Sequence, residues 1–207
     1  KMKKILALIM ALCMLFALAG CGNKSESDLD YVKEKGKLVV GVTVFEPMDY
    51  QDTDGKWVGF DADMANAFAE SLGVDAEFQI IDWDSKAMEL ESKTIDVVWN
   101  GMTLTDEVKG AMDCSNAYFN NAQVVIVKAD KADQYKTVDS IKRLIFAVEN
   151  GSAGAAQRDE LGIKYTPVAD QATALTEVTA GTSDAAVIDF LMAVSMVGEG
   201  TDYDKLT

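Results

Sequence analysis

Hydrophobic and polar positions along this chain alternate between short apolar runs and amphipathic stretches. An apolar run from Ile5 to Ala17 follows lysines at positions 1, 3 and 4. From Gly22 to Asp30 the chain turns polar, with too few large apolar groups to bury a core. At Lys37 the pattern changes. Leu38-Val39-Val40-Gly41-Val42-Thr43-Val44 is almost continuously apolar, as expected of a strand buried on both faces of a parallel sheet. Pro47 and Asp52-Thr53-Asp54-Gly55 mark turns. A helix is expected next, capped by Asp61, favoured by Asp63 at its positive end and stopped by Gly73. Phe60, Met64, Phe68 and Leu72 recur every four residues and predict its core-facing stripe.

The alternation continues with a strand at 76–81, a helix at 85–91 and a strand at 95–104. Thr105 is placed to cap a short helix, with Asp106 and Glu107 at its positive end. A strand follows at 123–128, then a charged surface connection at 129–136. The second half repeats the scheme: strand 145–148, helix from Ser152, strand 164–168, helix from Asp170, strand 185–188, helix from Phe190. Strands alternating with helices predict an α/β fold with parallel sheets. Two such units imply a two-lobed molecule whose ligands bind in the cleft, at the carboxyl ends of strands.

Charge and composition narrow the choices. The formal net charge is −15, and loss of residues 1–20 removes three basic residues and no acidic ones, leaving −18. A polyanion such as nucleic acid is excluded as a partner, because its binding draws on clustered Lys and Arg. There is no histidine, which removes the commonest metal ligand and general base; no metal and no cofactor are expected. Cys13 and Cys21 fall in the N-terminal segment, leaving Cys114 alone and without an intrachain partner.

The N-terminal order of basic end, apolar run and small residues reads as a secretory signal peptide over residues 1–20. Leu18-Ala19-Gly20-Cys21 resembles the lipobox of bacterial lipoproteins. That resemblance implies a diacylglycerol on Cys21, a tether over 21–36, and a protein anchored to the cell membrane on its extracellular or periplasmic face. Met2 follows a leading lysine and is expected to be the natural start.

The order of motifs in the rest of the chain resembles the bacterial extracellular solute-binding proteins of family 3, the amino-acid receptors of ABC importers. The resemblance is carried by Gly59-Phe60-Asp61-Ala62-Asp63-Met64, by the segment from Ile95 to Glu107, by Asn150-Gly151-Ser152, and by the segment from Ser183 to Asp189. It implies a type II periplasmic-binding-protein-like fold with parallel-rich sheets, lobe 1 at 37–127 and lobe 2 at 128–207. It further implies capture of a free amino acid, polar or cationic, and delivery to an ABC transporter permease. The portion of the family that returns to lobe 1 is expected beyond Thr207.

Carried over residue by residue, the resemblance makes Phe45 and Trp83 aromatic walls against the ligand; the alternative for each is plain core packing. Asn100, Gly101, Met102 and Thr103 match the family's ligand-binding edge, or form a strand end bent at its glycine. Ser152 and Ala153 open a helix whose free amides suit a carboxylate, or Ser152 is an ordinary N-cap. Asp189 ends an apolar strand and matches the acceptor of the ligand's ammonium group; it could instead cap the following helix. Glu149 suits a cationic side chain, or is a solvated rim residue. The family's carboxylate-binding arginine is replaced by Val108, and Lys109 beside it points about 100° away on a helix.

Two further classes share this scaffold. Cyclohexadienyl dehydratases resemble these receptors, but without histidine only Glu149, Asp189 or a lysine could serve as acid or base. A tethered sensor domain is the third reading. The binding module, not an enzyme, is the expectation.

Overall fold

The computed structural model describes residues 27–207. The expected signal peptide and Cys21 lie outside these residues. Among the described residues no helix is long and apolar enough to cross a membrane. Two compact units divide at Lys35–Gly36. In the first, α1 (Asp28–Lys35) is helical where the sequence reading expected an unstructured tether. Its acidic first turn (Asp28, Asp30) and basic last turn (Lys33, Lys35) complement the helix dipole, and Ser27 Oγ accepts from the Asp30 amide.

The second unit holds the rest of the fold. It runs β1 (Lys37–Val42), β2 (Tyr50–Gln51), β3 (Trp57–Val58), α2 (Phe60–Leu72), β4 (Asp75–Ile80), α3 (Lys86–Glu91), β5 (Val97–Val98) and α4 (Asp106–Ala111). Then come β6 (Gln123–Val127), α5 (Val138–Ile141), β7 (Phe146–Glu149), α6 (Ala153–Glu160), β8 (Tyr165–Val168), α7 (Gln171–Ala180), β9 (Ala185–Asp189) and α8 (Phe190–Met196). Two sheets organise it. The first has the order β4-β1-β5 and is parallel throughout. The second has the order β6-β9-β7-β8, parallel except where β6 runs against β9. β2 and β3 form a small antiparallel hairpin. This is the α/β, parallel-rich, two-lobed arrangement expected from the alternation, in the type II form that the resemblance implies.

The central strands carry the burial the sequence implied: β1 is buried from Leu38 to Val42 and β9 throughout. Around the second sheet, Phe146, Val148, Ala185 and Val187 form one cluster. Ala147, Leu175, Val178, Ile188 and Met192 lie in another.

Four expectations are corrected. β6 was assigned to lobe 1, yet it hydrogen-bonds to β9 in the second sheet, so the chain changes body before residue 123. The strand expected over 95–104 shortens to Val97–Val98, because Asn100 turns its amide onto β1 and Gly101 adopts φ +59°. The core face of α2 is an alanine stripe, Ala62, Ala65 and Ala69, with Asp61; Phe60, Met64 and Phe68 lie on a neighbouring, half-exposed face, where Phe60 packs on the Tyr118 and Phe119 rings and Phe68 on Trp99. Four-residue spacing located a stripe but not the side facing the sheet, and small residues allow the close approach. Finally, Asp61 does not cap α2. The carbonyls of Pro47 and Met48 take the first helical amides, Phe60 to the former and Asp61 and Ala62 to the latter.

Candidate functional site

Loops at the carboxyl ends of β1 and β5 build one wall of a cleft. Thr43 follows β1, and its amide and hydroxyl both meet Asn100 Oδ1, at 3.0 and 2.9 Å. Asn100 Nδ2 donates to the Thr43 carbonyl (3.0 Å) and to Asp49 Oδ2 (2.8 Å). Asn100 is buried and its amide is fully used inside the protein. It therefore fixes the wall and keeps no polar group for a ligand. Next to it Gly101 has φ +59°, and a Cβ there would stand 2.7 Å from the Phe45 ring. Only glycine lets the aromatic ring lie against this backbone. The Gly101 amide donates to Asp61 Oδ2 at 2.5 Å, a bond that gives the displaced Asp61 its role. Met102 and Thr103 continue the edge.

Trp83 heads the short turn before α3, buried against Val39, Ile81 and Ile95. Lys86, one turn on, lays its ammonium over the Trp83 ring at 5.1 Å from the centroid. Lys86 Nζ also donates to the Trp83 carbonyl (3.0 Å) and, across the cleft, to the Gly151 carbonyl (2.9 Å). Gly151 packs so tightly on Asp84 that a Cβ would lie 2.5 Å from the Asp84 Cα.

The opposite wall comes from the ends of β7 and β9. Glu149 ends β7, buried rather than solvated at a rim; Oε1 meets the Thr43 hydroxyl at 3.2 Å and Oε2 the Gln171 amide at 3.4 Å. Ser152 caps α6 through Oγ, which accepts from the Ala155 amide (3.1 Å). Asp189 ends β9 and stands at the N-cap position of α8, but its side chain caps nothing. Instead Oδ1 accepts from the side-chain amides of Asn121 and Gln123, and Oδ2 from Gln171. The Gln171 carbonyl oxygen in turn accepts from the Asp189 amide.

Charge is the main property of this cleft. Burial pushes Glu149 up to about 8, with Asp189 and Asp170 adding to the effect against the Gln171 and Thr43 hydrogen bonds. Burial likewise raises Asp189, opposed by its three amide donors. Lys86 is shifted down by burial, while Glu107, Asp84 and Glu149 act to hold its proton. No cluster of three or more metal-ligating side chains occurs among the described residues.

All ten candidate ligand contacts line this one cleft: Phe45, Trp83, Asn100, Gly101, Met102, Thr103, Glu149, Ser152, Ala153 and Asp189. Val108 lines it too, whereas Lys109 is exposed and does not. Sequence reasoning missed Lys86, Gln123 and Gln171, which also line it, and Thr43, which ties the walls together. Of these only Lys86 left a signal: a cation three residues from Trp83 in an acidic turn. The glutamines sit in elements whose patterns resemble ordinary strand and helix starts.

Comparison with known proteins gives a consistent result. Residues 38–177 match the bacterial extracellular solute-binding proteins, family 3. The chain is 32% identical over 205 residues to the L-cystine-binding protein TcyJ of Escherichia coli strain K12, covering 96% of this chain and 77% of that one. Among solved structures, an amino acid ABC transporter substrate-binding protein from Streptococcus pneumoniae bound to L-arginine superposes with a TM-score of 0.79. It shares 29% identity over 87% of this chain and 77% of its own. The ancestral amino acid-binding protein AncCDT-1, a precursor of cyclohexadienyl dehydratase, gives 0.76 at 33% identity, over 82% of this chain and 77% of its own.

Proposed function

The chain belongs to the bacterial extracellular solute-binding proteins of family 3, and from that premise we propose that it captures a free amino acid outside the cell and hands it to an ABC importer permease. The observation that carries this reading is Asp189. Its carboxylate is buried at the end of a central strand, lines the cleft, and among the described residues meets only neutral amides. A buried anion without a countercharge is costly, and an α-ammonium group entering the cleft supplies that charge. Phe45 and Trp83 flank the ligand, and Met102, Thr103, Ser152 and Ala153 approach its polar atoms through backbone and hydroxyl groups. Asn100 and Gly101 hold that edge in place. Glu149, turned inward, meets the ligand's far end: a cationic side chain there draws off the proton that Glu149 holds in the empty cleft, and a polar one leaves it in place.

The two lobes act as a hinge, with the crossing in the segment before β6. No acid–base pair is needed for this work, so the protein is a binder; the dehydratase reading draws support only from an ancestral relative. Signal-peptide cleavage before Cys21 and lipidation of that cysteine hold the receptor at the membrane beside its permease. Calorimetric titration of the purified protein against the proteinogenic amino acids and ornithine tests the assignment. One-to-one binding of an amino acid is expected; no heat with any of them overturns it.

A further inference from the structure

We propose that Lys86 holds the carboxylate of the bound ligand and thereby sets the protein's requirement for a free α-amino acid. The inference rests on the amino-acid reading above. Lys86 is the single Lys or Arg among the residues lining the cleft, against four carboxylates: Asp84, Glu107, Glu149 and Asp189. A zwitterionic ligand brings one anion into that acidic surface, and one cation is there to meet it. Val108, which stands where the resemblance places a carboxylate-binding arginine, is a buried hydrocarbon side chain and offers no hydrogen bond; the amides that open α6 at Ser152 and Ala153 carry no full charge.

The position of the ammonium is fixed in advance. It is held by the Trp83 and Gly151 carbonyls and by the Trp83 ring face, so little side-chain freedom is lost when an anion docks. Among the described residues these bonds use two of its three N–H groups, and the third remains for a ligand oxygen. Gly151 directly precedes Ser152, so the ammonium stands beside the backbone that opens α6. Its partial burial is consistent with this role: Lys86 gives up its proton more readily than an exposed lysine, and an adjacent carboxylate reverses that tendency. Lys86 also bonds the two bodies of the cleft together, so a test must separate anchoring from bridging.

The test is calorimetry of the wild type, Lys86→Met, Lys86→Gln and Lys86→Arg, each with L-arginine, L-histidine and L-glutamine and with their α-carboxamides. The wild type is expected to bind at least one free acid about 30-fold or more tighter than its amide. Lys86→Met and Lys86→Gln should bring that ratio close to one, and Lys86→Arg should keep it. Thermal melts identify which variants are folded, and the two neutral substitutions give independent readings. If a folded neutral variant binds more weakly but keeps the wild-type acid-to-amide ratio, Lys86 is only a bridge and the proposal fails. If the wild type binds none of the three, the same acid-to-amide comparison is made with the amino acid that the wider titration identifies; if that titration identifies none, the amino-acid reading itself falls, and this inference with it.

Discussion

Thr43 and Glu149 face each other across the cleft, one after the last residue of β1 and the other the last residue of β7, with 3.2 Å between Oγ1 and Oε1. Thr43 Oγ1 also stands 2.9 Å from Asn100 Oδ1, which can only accept. One hydroxyl hydrogen cannot serve both oxygens. The pair is satisfied when Glu149 carries a proton and donates to Thr43, which donates to Asn100.

That arrangement predicts a pH dependence. Glu149 rises from 4.5 unfolded to about 8 folded, and Asp49 from 3.8 to about 8, both mainly through burial. Between these values the native state holds protons that the unfolded chain has released. The stability that these two groups contribute is therefore fully present below about pH 4 and is lost as pH rises through about 8. Glu149→Gln removes one of the two groups and should flatten the slope between pH 5 and 7.5 by ~1.4 kcal/mol per pH unit. Urea denaturation at a series of pH values measures it; an unchanged slope contradicts the protonated assignment.

Asp189→Asn keeps the shape of the side chain and removes its charge. Binding of an amino acid should weaken by about 100-fold or more, the cost of truncating a desolvated charge pair. Stability in the absence of ligand should change far less than binding, because removal of a buried anion offsets the contact of the new NH2 group with one of the amide donors that the carboxylate accepted from. Titration and thermal unfolding of the same sample separate the two effects.

Asn100→Ala deletes four hydrogen bonds in a buried network that joins β1 to the β5 edge and to Asp49. The expected loss is about 3 kcal/mol, read as a lower urea midpoint at constant m-value. Retention of full stability would mean that water replaces the amide.

Gly101→Ala combines a left-handed backbone with a Cβ at 2.7 Å from the Phe45 ring. A destabilisation of about 2 kcal/mol is expected, with weaker ligand binding as Phe45 is displaced. Thermal melting and titration give the two numbers; a change in neither would show that Phe45 can swing aside without consequence.

Much of this architecture was legible in the residues. Alternation of apolar strands with capped helices pointed to the fold class, and Thr105, Ser152 and Asp170 open their helices as N-caps that accept from the backbone amide three residues on; the short helix capped by Thr137 was not expected. The resemblance placed ten residues that line one cleft. What could not be read depended on tertiary partners. Nothing local in Phe60, Met64 and Phe68 distinguishes a core face from a solvent face; the sheet chose the alanines because they permit closer contact. Nothing in Gln123-Val124-Val125-Ile126-Val127 says which sheet it joins, since an apolar run fits an edge of either. Asp61 looked like a cap because helix starts attract aspartate, yet the helix already begins at Phe60, and the Asp61 carboxylate turns to the distant Gly101 amide. Lys86 was overlooked because its role lies in the cavity it faces.

The antiparallel pairing of β6 with β9 has a consequence for how the protein is made. β9 is the hub of the second sheet, flanked by β6 and β7, and it is the last of the four strands to be synthesised. Gln123 waits for Asp189, 66 positions later. A growing chain can close the β1–β4 and β1–β5 pairs early, but among the described residues β6 has no strand to pair with until β9 has been made. The β1 pairs are thus able to close while the second sheet is still open, and late-arriving β9 joins β6 to β7 and brings Asp189 to the binding site in one event.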